Sequence, residues 1–367
     1  MIIERNWSGF VSLISDSKYK EDEKELLHSQ KDLKVVSAEE VYEDSGRGFY
    51  LILDSGTQQY EAAFRTDAEN NITAFGFAGI PALPETESSD DFTEEYISIG
   101  TGPKISGILT LPTGKTDAPV AVLMPETIYD GMNASGSDLL FRRDLAHALA
   151  EEGIASVRFD MRTYADPLLY FASDPLSLER SFFNDFAYAV HSLDKYPVSS
   201  SSIIYIGHGV AGTLGYDCVY HHFEITGGLV LLNAPFADGI SLLRQMDWLD
   251  KAVEDDVRDA LEKDEVPEMI SGYPSSYWKE WKNCDPLIYT RYVRIPILIM
   301  QGEDDTLTLM SDYNSWKSQK GSNVTMKSYP DLGHHLRDED WEISDDIVSD
   351  IAAWFSGKDI NKVKKRK

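Results

Sequence analysis

From residue 92 to residue 356 the chain alternates short runs rich in Val, Ile, Leu and aromatics with longer helical patterns, and this alternation constrains the fold more than any other feature. The order reads strand 119–124, helix 137–152, strand 155–159, helix 174–196, strand 202–206, helix 210–221, strand 228–232. A long insertion follows, then strand 295–301, helix 309–319, strand 324–329 and helix 344–355. Strands that read as nearly continuous apolar runs must be covered on both faces, and intervening helices return the chain for parallel pairing. A hairpin of 92–99 with 104–111 leads into this α/β pattern.

The stretch 81–91, PALPETESSDD, breaks any apolar period and reads as a linker. Residues 1–80 before it form a small α+β unit: a helical pattern over 10–29, then three runs at 48–54, 58–65 and 72–77 separated by turn residues. The larger domain spans 92–358, and the basic residues within 359–367 read as a solvated tail.

Charge and cysteine usage limit the partners. In 367 residues, 34 Lys and Arg face 62 Asp and Glu, a formal charge of −28. That balance leaves no basic face for nucleic acid or an anionic membrane. No apolar run reaches the ~20 residues of a membrane span, and residues 1–10 lack a signal-peptide pattern, so a cytoplasmic setting is expected. Two cysteines, Cys218 and Cys284, make no disulfide framework or cysteine zinc site. His221 and His222 have no third ligand nearby in sequence, so no cofactor and no metal is expected.

The chemistry-bearing motifs sit at strand ends. Residues 203–212, IIYIGHGVAG, run from a buried strand through a glycine-rich turn into a helix. The strand IPILIMQ leads into Gly302, Glu303, Asp304 and Asp305, and the strand VTMKSYP leads into Asp331, Leu332, Gly333 and His334. Together these resemble the α/β-hydrolase family from about residue 92 to 356: the G-x-S-x-G nucleophile elbow, then the acid, then the histidine, in the family's own order. The resemblance places Gly209 at the nucleophile position, Asp305 as the acid and His334 as the base. The small N-terminal unit and the RFDMRT segment (158–163) resemble a bacterial subgroup of serine esterases, in which Asp130 would match an acid of the loop after the first parallel strand.

Several implications follow from that resemblance. One oxyanion-hole donor would be the backbone N–H of Val210 and a second would come from near Glu126 or Thr127, with the Glu126 carboxylate turned away from a developing oxyanion. Residues 236–283 occupy the position of the family's lid, and Leu249, Val253, Val257 and Leu261 give that segment an amphipathic helix. His208, Tyr129, Tyr164, Trp278 and Trp281 are candidate pocket residues, although aromatic residues in a lid also serve as anchors.

Glycine at 209 offers no oxygen, so no acyl-enzyme can form there, and it relaxes an elbow that strains other residues by about 1–3 kcal/mol. Cys218 lies nine residues further on, about 13 Å along a helix, too far to substitute. Ser135 and Ser137 lie near the oxyanion loop, and Ser137 also suits a helix N-cap. Asp305 suits an N-cap as well, and either His334 or His335 can be the base. Three functions stay open: an esterase-like hydrolase acting on a small neutral ester or amide, water activation by the Asp305–His334 pair, and a nucleophile-less protein that binds a small ligand or a partner.

Overall fold

A computed structural model of the chain describes residues 33–43, 46–67, 72–100, 104–126, 130–133, 140–165, 168, 177–178, 182–221, 225–245, 249–271 and 273–360. These divide into two compact units, Met1–Leu83 with Arg162–Leu176, and Pro84–Met161 with Ser177–Lys367. The helical pattern expected over 10–29 and most of the basic tail lie outside the described residues.

The first unit holds an antiparallel sheet of β1 (Lys34–Glu43), β2 (Gly46–Asp54), β3 (Gln59–Thr66) and β4 (Ile72–Gly79), in that spatial order. Its register pairs Leu51 with Ala62, Leu53 with Tyr60, Ala62 with Phe77 and Phe64 with Phe75, so one face collects the apolar side chains into a core. Strand β1 was not anticipated. Residues 36–40 are exposed and include Glu39 and Glu40, so this edge strand lacks the alternation by which a half-buried strand is recognised.

The second unit is built on an eight-stranded sheet. Its strands are β5 (Phe92–Ile99), β6 (Ile105–Pro112), β7 (Ala118–Met124), β8 (Ala155–Phe159), β9 (Val198–His208) and β10 (Gly228–Leu232). A two-residue ladder of β11 (Met269–Ile270) and β12 (Tyr273–Pro274) stands apart in the insertion, and β13 (Ile297–Gly302) and β14 (Val324–Tyr329) complete the sheet. The order across it is β14-β13-β10-β9-β7-β8-β6-β5, with β6 antiparallel to both of its neighbours, β5 and β8, and every other pairing parallel. Strand β9 begins four residues earlier than its apolar run, because a serine-rich stretch pairs at Val198 with Ala118. Residues 84–91 are not a free tether: Glu87 N–H donates to Glu94 at 2.9 Å and Ser88 bridges to Thr93.

The helices are α1 (Phe141–Glu151), α2 (Arg162–Ala165), α3 (Asn184–Ser192), α4 (Val210–His221), α5 (Gly239–Gln245), α6 (Lys251–Leu261), α7 (Ser275–Asn283), α8 (Pro286–Tyr289), α9 (Met310–Gln319) and α10 (Asp345–Phe355), of which α2 falls in the first unit. Leu145 and Leu149 of α1 and Ile347 and Ile351 of α10 recur at helical spacing and pack with Leu123, Ile206, Val230 and Leu298 of the strands. Register places the candidate residues at one edge of the sheet: Met124 lies beside Gly207, His208 beside Leu232, Leu232 beside Met300, and Gly302 beside Tyr329. In a parallel α/β sheet this carboxyl edge is where ligands bind.

Candidate functional site

Strand β9 ends at His208 and α4 starts at Val210, which leaves Gly209 alone to turn the chain. It does so at φ +56°, a left-handed conformation that glycine adopts without strain. The turn is pinned by Gly209 N–H donating to Leu232 O at 2.9 Å and Gly212 N–H donating to Gly209 O at 3.1 Å. Gly207 has no room for a side chain, since a Cβ there would lie 2.5 Å from the Ala211 carbonyl. This is a close-packed strand–turn–helix corner, and Val210 presents its N–H in the first turn of α4, where a helix has no internal acceptor.

Across the edge, Asp305 and His334 meet. His334 Nδ1 lies 2.8 Å from Asp305 Oδ2, and the carboxylate can only accept, so Nδ1 carries the proton. Asp305 is fully buried at its side chain, and its other oxygen accepts from Leu307 N–H at 2.7 Å and Thr308 N–H at 3.0 Å. The carboxyl therefore both shapes its turn and orients the histidine. The inward ring is His334; His335 has its centroid 5.2 Å away. Burial and the neighbouring His208 and His334 push the His335 ring down to about 4.

Asn233 holds the two loops together. It sits at φ 46° just after β10, fully buried, with its amide donating to the His334 carbonyl at 2.6 Å and accepting from Gly302 N–H at 2.7 Å. Sequence reasoning passed over it. The only sequence signal was its place immediately after a buried strand, where a polar residue is expected to have a job.

The largest departure from expectation is Glu126, directly after β7. Its carboxylate turns inward, not away. A Cβ added at Gly209 would lie 2.8 Å from Glu126 Cδ, 3.2 Å from its Cγ and closer still to Oε1. Glu126 thus occupies the space that a side chain at position 209 would need. Oε2 lies 3.4 Å from His208 Nδ1, and Oε1 lies 3.7 Å from His334 Nε2. Burial alone would raise the Glu126 carboxyl, but the two imidazoles outweigh it and hold the group far below the usual carboxylate range. Burial likewise opposes charge on His334, yet Asp305 and Glu126 on either side raise it to about 9. At neutral pH the centre is an imidazolium between two carboxylates.

The inward turn has a structural cause. Glu126 N–H donates to Asp130 Oδ2 at 2.9 Å, and the same carboxylate pairs with buried Arg142 at 3.1 Å. Met132 N–H donates to Asp160 at 2.7 Å, and Arg158 spans Glu94 and Asn133 at 2.8 Å each. Burial works against the Glu94 charge, but His147 and Arg158 bring that carboxyl down to about 2. Arg158, Asp160 and Asp130 are therefore the scaffold of this loop. Because the Glu126 N–H is already taken by Asp130, its assignment as an oxyanion donor does not hold.

The other candidates fall as follows. His208 belongs to the centre: it is buried, its Nε2 donates to the His334 carbonyl at 2.8 Å, and its centroid is 4.5 Å from that of His334. Thr127 and Tyr129, with Ser135, Ser137 and His222, lie outside the described residues. Tyr164 is carried by α2, which belongs to the first unit. Trp278 and Trp281 do not line a pocket: they are 2% and 1% exposed, and the Trp278 indole donates to Ile270 O at 2.8 Å. They meet Tyr273 and Tyr277 edge to face and anchor the insertion, because α5, α6 and α7 need an apolar layer of their own. Cys218 and Cys284 are buried free thiols.

A strand–elbow–helix, an acid after β13 and a histidine after β14 at the carboxyl edge of this sheet define the α/β-hydrolase fold, and the chain has that fold. A relative named Esterase EstD from Thermotoga maritima is 24% identical over 321 residues, covering 82% of this chain and 73% of its own. Among solved structures, Est1E from Butyrivibrio proteoclasticus superposes with a TM-score of 0.51 at 15% identity, covering 72% of this chain and 99% of that one. A hypothetical protein of Pseudomonas aeruginosa gives 0.50 at 14% identity, covering 73% and 94%. No family model matches the sequence. Among the described residues, no helix is long and apolar enough to cross a membrane.

Proposed function

We propose that this chain descends from ester hydrolases, has lost acyl-enzyme chemistry, and uses the cleft to bind a small neutral ester- or amide-like ligand. The observation that carries this reading is the pairing of Gly209 with Glu126: the nucleophile's oxygen is absent and a carboxylate stands in its space. Hydrolysis by an activated water is poorly served at neutral pH. His334, raised to about 9, already holds a proton, and Glu126 is too weak a base. The esterase relative supports the ligand class, and the charge of −28 disfavours anions, nucleic acid and anionic membranes.

Treatment with a fluorophosphonate probe followed by intact-mass measurement tests the reading. The wild-type chain should stay unmodified under conditions that label a serine esterase fully. A stoichiometric adduct would overturn the proposal and place the reaction on a serine elsewhere, with Ser135 the first to map.

A further inference from the structure

Glu126, His208 and His334 each turn one donor atom toward a common centre, and these three atoms lie within 4.8 Å of one another. The outer nitrogen of each ring is already committed. His208 Nε2 donates to the His334 carbonyl at 2.8 Å, and His334 Nδ1 donates to Asp305 Oδ2 at 2.8 Å. Those bonds keep the outer nitrogens as donors, so Nδ1 of His208 and, once a metal displaces its proton, Nε2 of His334 are the nitrogens that face inward as ligands. A carboxylate or carbonyl behind each ligating imidazole is the usual support of a histidine-bound metal.

The inner contacts do not satisfy one another. At 3.4 and 3.7 Å they are long for hydrogen bonds, and Glu126 Oε1 is a buried atom with no hydrogen-bond partner. An unpaired buried carboxylate oxygen is costly, and a cation shared by the three groups would remove that cost.

We infer that Glu126, His208 and His334 form a binding site for a divalent transition metal of the zinc class. Two imidazoles and one carboxylate are borderline donors suited to Zn²⁺, Co²⁺ or Ni²⁺, whereas Mg²⁺ and Ca²⁺ prefer oxygen throughout. Ligands at about 2.0–2.2 Å in tetrahedral array lie ~3.4 Å apart, so the 3.4 Å pair is already in place and the 3.7 Å pair is close to it. Small rotations of the three side chains would supply the remaining closure around an ion. Three protein ligands would leave the fourth position of such a metal for water or a small ligand. The ligands are far apart in sequence, on three strand ends, which is why a search for adjacent histidines and cysteines found no metal motif. The inference does not depend on the loss of ester turnover, because metal uptake is measured without any substrate.

Chelator-treated full-length protein is titrated with zinc chloride by calorimetry. One equivalent per chain should bind, and His208→Ala and Glu126→Gln should each weaken binding at least tenfold, with Asp305→Asn weakening it ~10–100-fold through the supporting hydrogen bond. His221→Ala should bind as wild type does. Absence of zinc binding, or binding unchanged in folded His208→Ala and Glu126→Gln proteins, overturns the site. X-ray absorption of the zinc-loaded wild type needs no variant to fold. Two imidazoles in the first shell at ~2.0 Å support the site, and an all-oxygen shell from surface acids overturns it.

Discussion

The two halves of the site are held in different ways. On the β13–β14 side, Asp305 and His334 keep a 2.8 Å hydrogen bond, and Asn233 ties their loops together through buried amide contacts. On the β7–β9 side, the corner is made by backbone, with Gly209 at the turn and Glu126 filling the space beside it. The first half needs side chains to keep its shape, since Asp305 also closes its own turn through Leu307 and Thr308. In the second half the turn at 209 is shaped by backbone packing at Gly207 and Gly212, and buried side chains hold only the neighbouring loop that carries Glu126.

The largest expected effect is on the scaffold of the altered half. Arg158→Met should destabilise the protein by about 3–5 kcal/mol, because it leaves the Glu94 carboxylate buried without its main partner. Urea denaturation measures it, and a loss under 1 kcal/mol would mean that the loop carrying Glu126 is not held by this network. Gly209→Ser should cost about 1–3 kcal/mol by the same measurement, from left-handed backbone strain and the approach to Glu126. A neutral or stabilising result would mean that Glu126 swings out freely.

The protonation of His334 probes both halves together. Its value of about 9 lies above the ordinary 6.5, so the ion triplet contributes stability that is complete below 6.5 and is lost as pH rises through 9. His335, lowered to about 4, acts in the opposite sense, contributing above 6.5 and losing it as pH falls toward 4. Imidazole NMR titration should find His334 protonated at pH 8, and Glu126→Gln should lower its midpoint by a unit or more. An unchanged midpoint would mean that Asp305 alone sets the charge. The smallest effect belongs to the insertion. Trp278→Phe removes one buried hydrogen bond and should cost ~1 kcal/mol in thermal or urea melts without moving the His334 midpoint. A shifted midpoint would make the lid part of the charged centre.

Much of this was legible in the sequence because period and position carry it. Strands β8, β10 and β14 and helix α4 have the bounds their apolar runs suggest, and Asp305 and His334 sit where strand ends place them. Strand β1 was not legible, since an exposed, glutamate-bearing edge gives no burial pattern. The direction of Glu126 was not legible either. It depends on Asp130 and Arg142 capturing the backbone of the turn, contacts that join residues up to 12 apart in sequence. The lid tryptophans carry no mark that separates an anchor from a pocket wall, and only their burial does.

The central claim is that serine chemistry is absent because one side chain is missing and another fills its space. Ester turnover by wild type, Gly209→Ser, Glu126→Ala and the Gly209→Ser/Glu126→Ala pair, on one short-chain nitrophenyl ester, tests it most directly. The account predicts little gain from either single change and a gain in kcat/KM of at least ~10²-fold from the pair, because only the pair restores both the oxygen and its room beside His334. Full activity in Gly209→Ser alone would contradict the role given to Glu126, and an inactive but folded pair would contradict the assignment of the centre itself.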